Sequence, residues 1–208
     1  MTALAATVGG APVSVDDVDT REARLRAGPL AAALPAAGTG EGRQLRRWLT
    51  QLIVTERVVA AEAAVLNVRA GLNAVDAPTE AALLPDEAAR LEVGSVAAAA
   101  LADPLARALF AHVTAAVEVS DEEVADYHRR NPLRFAEPVC DRHGWRTPGG
   151  TAPPLGQVQA LIARQLRGAA RRRAFRVWLD ARRAALVWLA PGYEHPADPR
   201  QPDYTHRH

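Results

Sequence analysis

A chain of 208 residues that is 49% hydrophobic can bury a real core, as one domain or a domain with an appendage. Its formal net charge of +1 leaves no bulk electrostatic pull toward nucleic acid or a charged surface. No apolar run approaches the roughly 20 residues that cross a bilayer, and the first residues lack the basic stretch of an export signal. One cysteine, Cys140, excludes an internal disulfide framework and fits a reducing compartment, so a cytoplasmic protein without a membrane partner is the expectation. All 25 basic residues are arginine and alanine is abundant, which points to the coding bias of a GC-rich genome before any selected guanidinium chemistry.

Two short extended pieces, residues 3–8 and 11–13, flank the turn dipeptide Gly9-Gly10. Ser14, with carboxylates at Asp16 and Asp17, opens a helix that runs to about Ala27 and stops at Gly28-Pro29. A Gly/Pro-rich loop comes next. The second helix, about Glu41 to Val68, carries Leu45, Trp48, Leu49, Leu52, Ile53, Val59 and Leu66 at three- and four-residue steps. Arg46, Arg47, Glu56 and Arg57 mostly decorate its other face. Two or three alanine-rich helices fill residues 79–117, broken at Pro85, Gly94 and Pro104, with His112 expected as a half-buried imidazole.

Ser120-Asp121-Glu122-Glu123 is a capping box whose helix ends at Asn131-Pro132, and Arg134-Phe135 then reads as extended. Residues 138–154 are too few for a domain and form a connector, with room for one small strand. The last helix, about Leu155 to Ala184, gathers Val158, Leu161, Ile162, Leu166, Phe175, Trp178 and Leu179 on one face. Residues 185–189 form a strand whose only credible partners are the N-terminal extended pieces. The fold expected is therefore mainly α, with a small β-sheet made by the N- and C-terminal segments. Residues 1–190 would form a single helical domain and 191–208 a Pro/His-rich tail.

Residues 8–18, the helix from Leu45 to Val68 with Trp48-Leu49-Thr50-Gln51-Leu52-Ile53, residues 119–135, and residues 155–189 succeed one another in an order that resembles the chaperone module of SurA-type and PrsA-type peptidyl-prolyl isomerases. In that family the third segment leads into a parvulin isomerase domain and the fourth comes after it. Here the parvulin domain is reduced to a stub in which His143 is similar to the histidine of its first strand. The domain's other catalytic groups have no counterpart, so the resemblance implies no isomerase activity. It implies a module that holds unfolded or extended polypeptide.

The chemistry-bearing residues leave several readings open. In the tail, His206 and His208 share a face of an extended chain, a spacing able to chelate a transition metal such as zinc, completed by His195, Asp198 or Asp203. Otherwise the tail, with Tyr193 and Tyr204, packs over the body. Cys140 and His143 are candidates for a nucleophile–base pair, or a chance association in a loop. The arginines of the last helix form a stripe that either binds phosphate backbones or pairs with acids at residues 16–22 and 121–126. The pairing is the simpler account, and nucleic acid is not the expected partner. No Gly-x-Ser-x-Gly elbow, phosphate loop, dinucleotide glycine pattern or His-Glu-x-x-His is present.

Two functions fit this sequence. The first is a non-enzymatic, chaperone-like protein that takes a polypeptide segment or a small apolar ligand in a groove lined or supported by Leu49, Leu52, Ile53, Phe175 and Trp178, with no cofactor. The second is a small-molecule-binding accessory protein or enzyme of specialised metabolism, using His143 and the tail histidines for acid–base or metal chemistry.

Overall fold

The structure is a computed structural model that describes residues 3–70, 78–136 and 151–196, with 138–140 and 146–148 described by their backbone. Contacts divide the chain into two compact units, residues 1–113 with 175–208 and residues 114–174.

The first unit begins with β1 (Leu4–Val8) and β2 (Ala11–Ser14), joined by Gly9 and Gly10 at φ +56 and +82. Two successive positive φ values make a turn whose twist matches the strands, and glycine adopts them without Cβ strain. β5 (Val187–Leu189) pairs antiparallel with β1 on its other side, in the register Ala6↔Leu189 and Val8↔Val187. The sheet order is β2-β1-β5. The N- and C-terminal segments thus meet in one three-stranded sheet on a mainly helical protein, the partner expected for the strand after the last helix.

Ser14 caps α1 (Val15–Arg26): its Oγ accepts from the Asp17 N–H at 3.1 Å, and Asp17 Oδ2 accepts from the Ser14 N–H at 2.9 Å. α2 (Gly40–Val65) is capped by Thr39 and is the spine of this unit. Gly42 fits there because a Cβ would lie 2.3 Å from the Ala36 carbonyl oxygen. Between residues 79 and 113 the structure has four short helices, more than the expected two or three: α3 (Glu80–Leu83), α4 (Glu87–Val93), α5 (Ser95–Ala100) and α6 (Pro104–Val113). The breaks fall at the expected Pro85, Gly94 and Pro104, and the φ of +88 at Gly94 lets the chain turn from α4 straight into α5. His112 is exposed on α6, not half-buried.

In the second unit α7 (Asp121–Arg130) carries a second capping box, Ser120 with Glu123. Residues 132–135 form turns, not an extended piece, with the Arg134 N–H bonded to the Asn131 carbonyl. The connector forms an antiparallel pair, β3 (Pro138–Cys140) and β4 (Arg146–Pro148), one strand more than expected. α8 (Leu155–Leu186) contributes residues 155–174 to the second unit and 175–186 to the first.

The core of the first unit joins Ala5, Val8 and Val13 of the sheet to Leu49, Ile53, Val54 and Val58 of α2, with Leu101, Leu109, Phe110, Phe175 and Leu179. Phe110 and Phe175 stand 5.0 Å apart at 49°, an inclined aromatic pair. The second unit has a smaller core of Val124, Val158 and Ile162, walled by Tyr127, Phe135 and Leu166. Each such aliphatic side chain contributes about 1.5–3 kcal/mol when fully buried. No described helix is long and apolar enough to cross a membrane.

Candidate functional site

The hydrophobic periodicity of α2 hides a second stripe. Arg47, Gln51 and Thr55, four residues apart, occupy one helix face, and all three are buried. Burial of such groups requires hydrogen-bond partners, which come from two directions. After β5 the chain turns at Gly192, φ +92, and lays its backbone along α2. Arg47 Nε donates to the Gly192 carbonyl at 3.2 Å, and Gln51 Nε2 donates to the Tyr193 carbonyl at 2.9 Å. The second partner is Arg183 of α8. Its Nη1 donates to Thr55 Oγ1 and to the Gln51 carbonyl, and its Nη2 donates to Gln51 Oε1.

Arg183 and its neighbours form one wall of a pocket of about 230 Å³ in the first unit. Val93, Val96, Ala97 and Leu179 supply its apolar surface. Thr55, Ser95, Arg176, Asp180 and His195 complete the polar part. Burial draws the Arg183 guanidinium below its ordinary value, and the charge of Asp180 opposes that draw. Arg176 Nε lies 3.9 Å from Asp180 Oδ2, and Arg176 Nη1 donates to the Glu92 carbonyl at 3.4 Å.

The other arginines of this unit have a different task. Arg46 Nη2 meets Asp19 at 2.5 Å and its Nη1 meets Glu22 at 2.7 Å, while Arg21 pairs with Glu56 and Arg57 with Asp17. Burial works against the charge on Arg46, yet hydrogen bonds to Asp19, Glu22 and the Tyr193 side chain outweigh it and raise its pKa. Burial likewise pushes the Glu22 carboxyl up, but bonds from Arg26 and Arg46 prevail and hold it below its ordinary value. Asp17 is lowered first by the Ser14 backbone N–H, against a smaller opposing effect of burial, with the Ser14 hydroxyl and Arg57 adding to the drop. The acids of residues 16–22 therefore serve α1 and α2. These arginine partners come from α1 and α2, because α2 presents its own arginines to α1. Of the α8 arginines, Arg167 meets Glu118, Arg176 approaches Asp180, Arg182 meets Glu62, and Arg183 meets neutral acceptors.

The second unit holds a larger cleft, about 450 Å³, between α7 and α8. Val119, Ala125, Tyr127, Leu166 and Ala170 supply apolar surface. Charges of both signs rim it: Glu118, Glu122 and Asp126, with Arg129, Arg130 and Arg173. Asp126 is engaged by Arg129 and Arg130, and Glu118 by Arg167. Glu122 and Arg173 have no ion-pair partner among the described residues, so both signs remain available at the rim. His128 of α7 is half-buried, its Nε2 2.8 Å from the Pro153 carbonyl oxygen.

The residues singled out from the sequence fall in several places. Leu49, Ile53 and Phe175 are core residues, Leu52 is buried as well, and Trp178 is half-buried, its ring stacked on Phe175 at 5.7 Å. They support the first unit from inside and line neither of the two sites above. His195 reaches the Arg183 pocket. Cys140 lies in β3 with its backbone opposite Arg146. His143, Asp198, Asp203, His206 and His208 lie outside the described residues. Among the described residues no three His, Cys, Asp or Glu side chains converge as a metal would require. Gln51 and Thr55 escaped the sequence reading as site residues, and Arg183 figured in it only as one of the α8 arginine stripe. The four-residue spacing of the first two on α2 was visible, but polar residues at such steps read as a solvated face until a second element covers them.

Residues 4–41, which hold β1, β2, α1 and the loop that leads into α2, match the model of a family of unknown function, DUF7158. No curated protein and no solved structure matches the chain.

Proposed function

We propose that this protein is a chaperone-like, partner-binding module without isomerase activity, and that the α7–α8 cleft receives an extended polypeptide segment. One observation carries this reading: a cleft of about 450 Å³ combines apolar surface from Val119, Tyr127, Leu166 and Ala170 with charges of opposite sign at Glu122 and Arg173 that have no ion-pair partner among the described residues. An extended segment presents apolar and charged side chains in alternation, so it meets such a surface and rim together. A small apolar ligand would leave the rim charges unmatched. The order of the four sequence segments that resemble the SurA-type and PrsA-type module supports the same class of ligand.

The test uses Ala170→Trp, which fills the cleft from α8 without removing a core side chain. Fluorescence anisotropy with a labelled, extended peptide of mixed charge and small apolar side chains reads binding directly. The wild-type protein is expected to bind saturably, and the folded variant, checked by circular dichroism, to bind about tenfold more weakly. Equal binding by both proteins, or no saturable binding by the wild type, overturns the reading.

A further inference from the structure

We propose that the Arg183 pocket of the first unit is a binding site for a small monocarboxylate, with the guanidinium of Arg183 taking the carboxylate and the apolar wall taking a short hydrocarbon body. This pocket differs from the α7–α8 cleft in both place and ligand class, so the monocarboxylate site and the peptide cleft stand or fall separately.

A guanidinium carries five N–H groups in a rigid plane. On Arg183 three are spent, on the Gln51 carbonyl, on Gln51 Oε1 and on Thr55 Oγ1. No acceptor among the described residues takes the Nε–H or the second Nη2–H. All three acceptors are neutral, so the hydrogen bonds fix the plane of the group without neutralising it. The charge that acts on it is that of Asp180, which the exposed Arg176 also approaches. A held guanidinium that bonds to no carboxylate among the described residues, with two donors left and open space beside it, is poised for a carboxylate.

The charge count then selects among anions. Two arginines and one aspartate line the pocket, one net positive charge among its always-charged side chains. A monoanion balances that charge. A phosphate dianion would exceed it and would face the Asp180 carboxylate. The shape selects further. Val93, Val96, Ala97 and Leu179 form apolar surface that a hydrophilic anion would leave unused. Sites for drug-sized ligands occupy about 300–1,000 Å³. A pocket of about 230 Å³ therefore suits an acid with a short chain or a single ring.

The experiment reads the arginine side chains by NMR in the wild-type, full-length protein, titrated with hexanoate, with hexanamide as the uncharged isostere and with inorganic phosphate. Hexanoate is expected to shift the Arg183 Nε–H resonance saturably. Hexanamide and phosphate, at the same concentrations, are expected to leave it nearly in place. Arg183→Lys, which keeps a point charge but loses the planar fork, should weaken hexanoate binding about tenfold by calorimetry. Arg176→Gln at the rim, which removes no buried partner, should weaken it a few-fold and guards against a folding defect in the first variant. The proposal is overturned by a hexanoate titration without saturation, by equal shifts from hexanamide, or by phosphate acting as strongly as hexanoate. Unchanged affinity in both variants would overturn it too.

Discussion

The two sides of α2 treat arginine in opposite ways. Toward α1, guanidinium groups meet carboxylates: Arg46 with Asp19 and Glu22, Arg21 with Glu56, Arg57 with Asp17. Toward α8, Arg183 meets an amide, a carbonyl and a hydroxyl. The first arrangement consumes the charge in fastening two helices. The second fixes the geometry of the group and leaves its charge unspent. The difference separates arginines that hold a fold together from one that can receive a ligand, and it owes nothing to how many arginines each helix carries.

The largest expected effect that would break this contrast comes from Glu22, whose side chain is only 9% exposed and is shared by Arg26 and Arg46. Glu22→Ala strips both guanidiniums of that partner, and denaturant unfolding should show a loss of about 2–4 kcal/mol. Arg183→Met comes next. It removes three hydrogen bonds but also a half-buried charge that bonds to no carboxylate among the described residues, so the expected loss is about 1–2 kcal/mol. If Arg183→Met proved the more costly of the two, the guanidinium would be a structural fastener after all and the contrast would fail.

The smallest effect is a matter of pH. Glu22 and Asp17 have folded pKa values below their ordinary ones. A depressed carboxylate adds stability that is complete above the unfolded value, about 4, and that disappears as pH falls through the folded value. Melting temperatures should therefore drop on acidification below about pH 4. Glu22→Gln should flatten part of that slope, whereas Arg183→Met should leave it unchanged. A slope identical in wild type and Glu22→Gln would show that the α1–α2 carboxylates do not carry the acid sensitivity.

Local signals in the chain located most elements. The serine–carboxylate boxes at Ser14 and Ser120 fixed two helix starts because capping needs only residues three apart. Gly9-Gly10 fixed the hairpin because few other residues accept its φ values. The turns at residues 132–135 were less legible, since a single proline marks the end of a helix without specifying the conformation of the next residues. The proposed groove residues illustrate the same limit. Leu49, Ile53 and Phe175 are apolar at helical spacing, which predicts burial, but spacing cannot say whether the covering surface is the protein's own core or a ligand.

Amino-acid order alone thus determined a mainly helical chain whose ends pair in a small sheet, because hydrophobic period, capping and turn chemistry act over a few residues. Which arginine spends its charge, and which keeps it, was decided only by tertiary structure. A guanidinium reads the same in sequence whether α2 offers it a carboxylate or an amide. The outcome depends on which side chains, more than a hundred residues apart as Gln51 and Arg183 are, arrive within hydrogen-bonding distance.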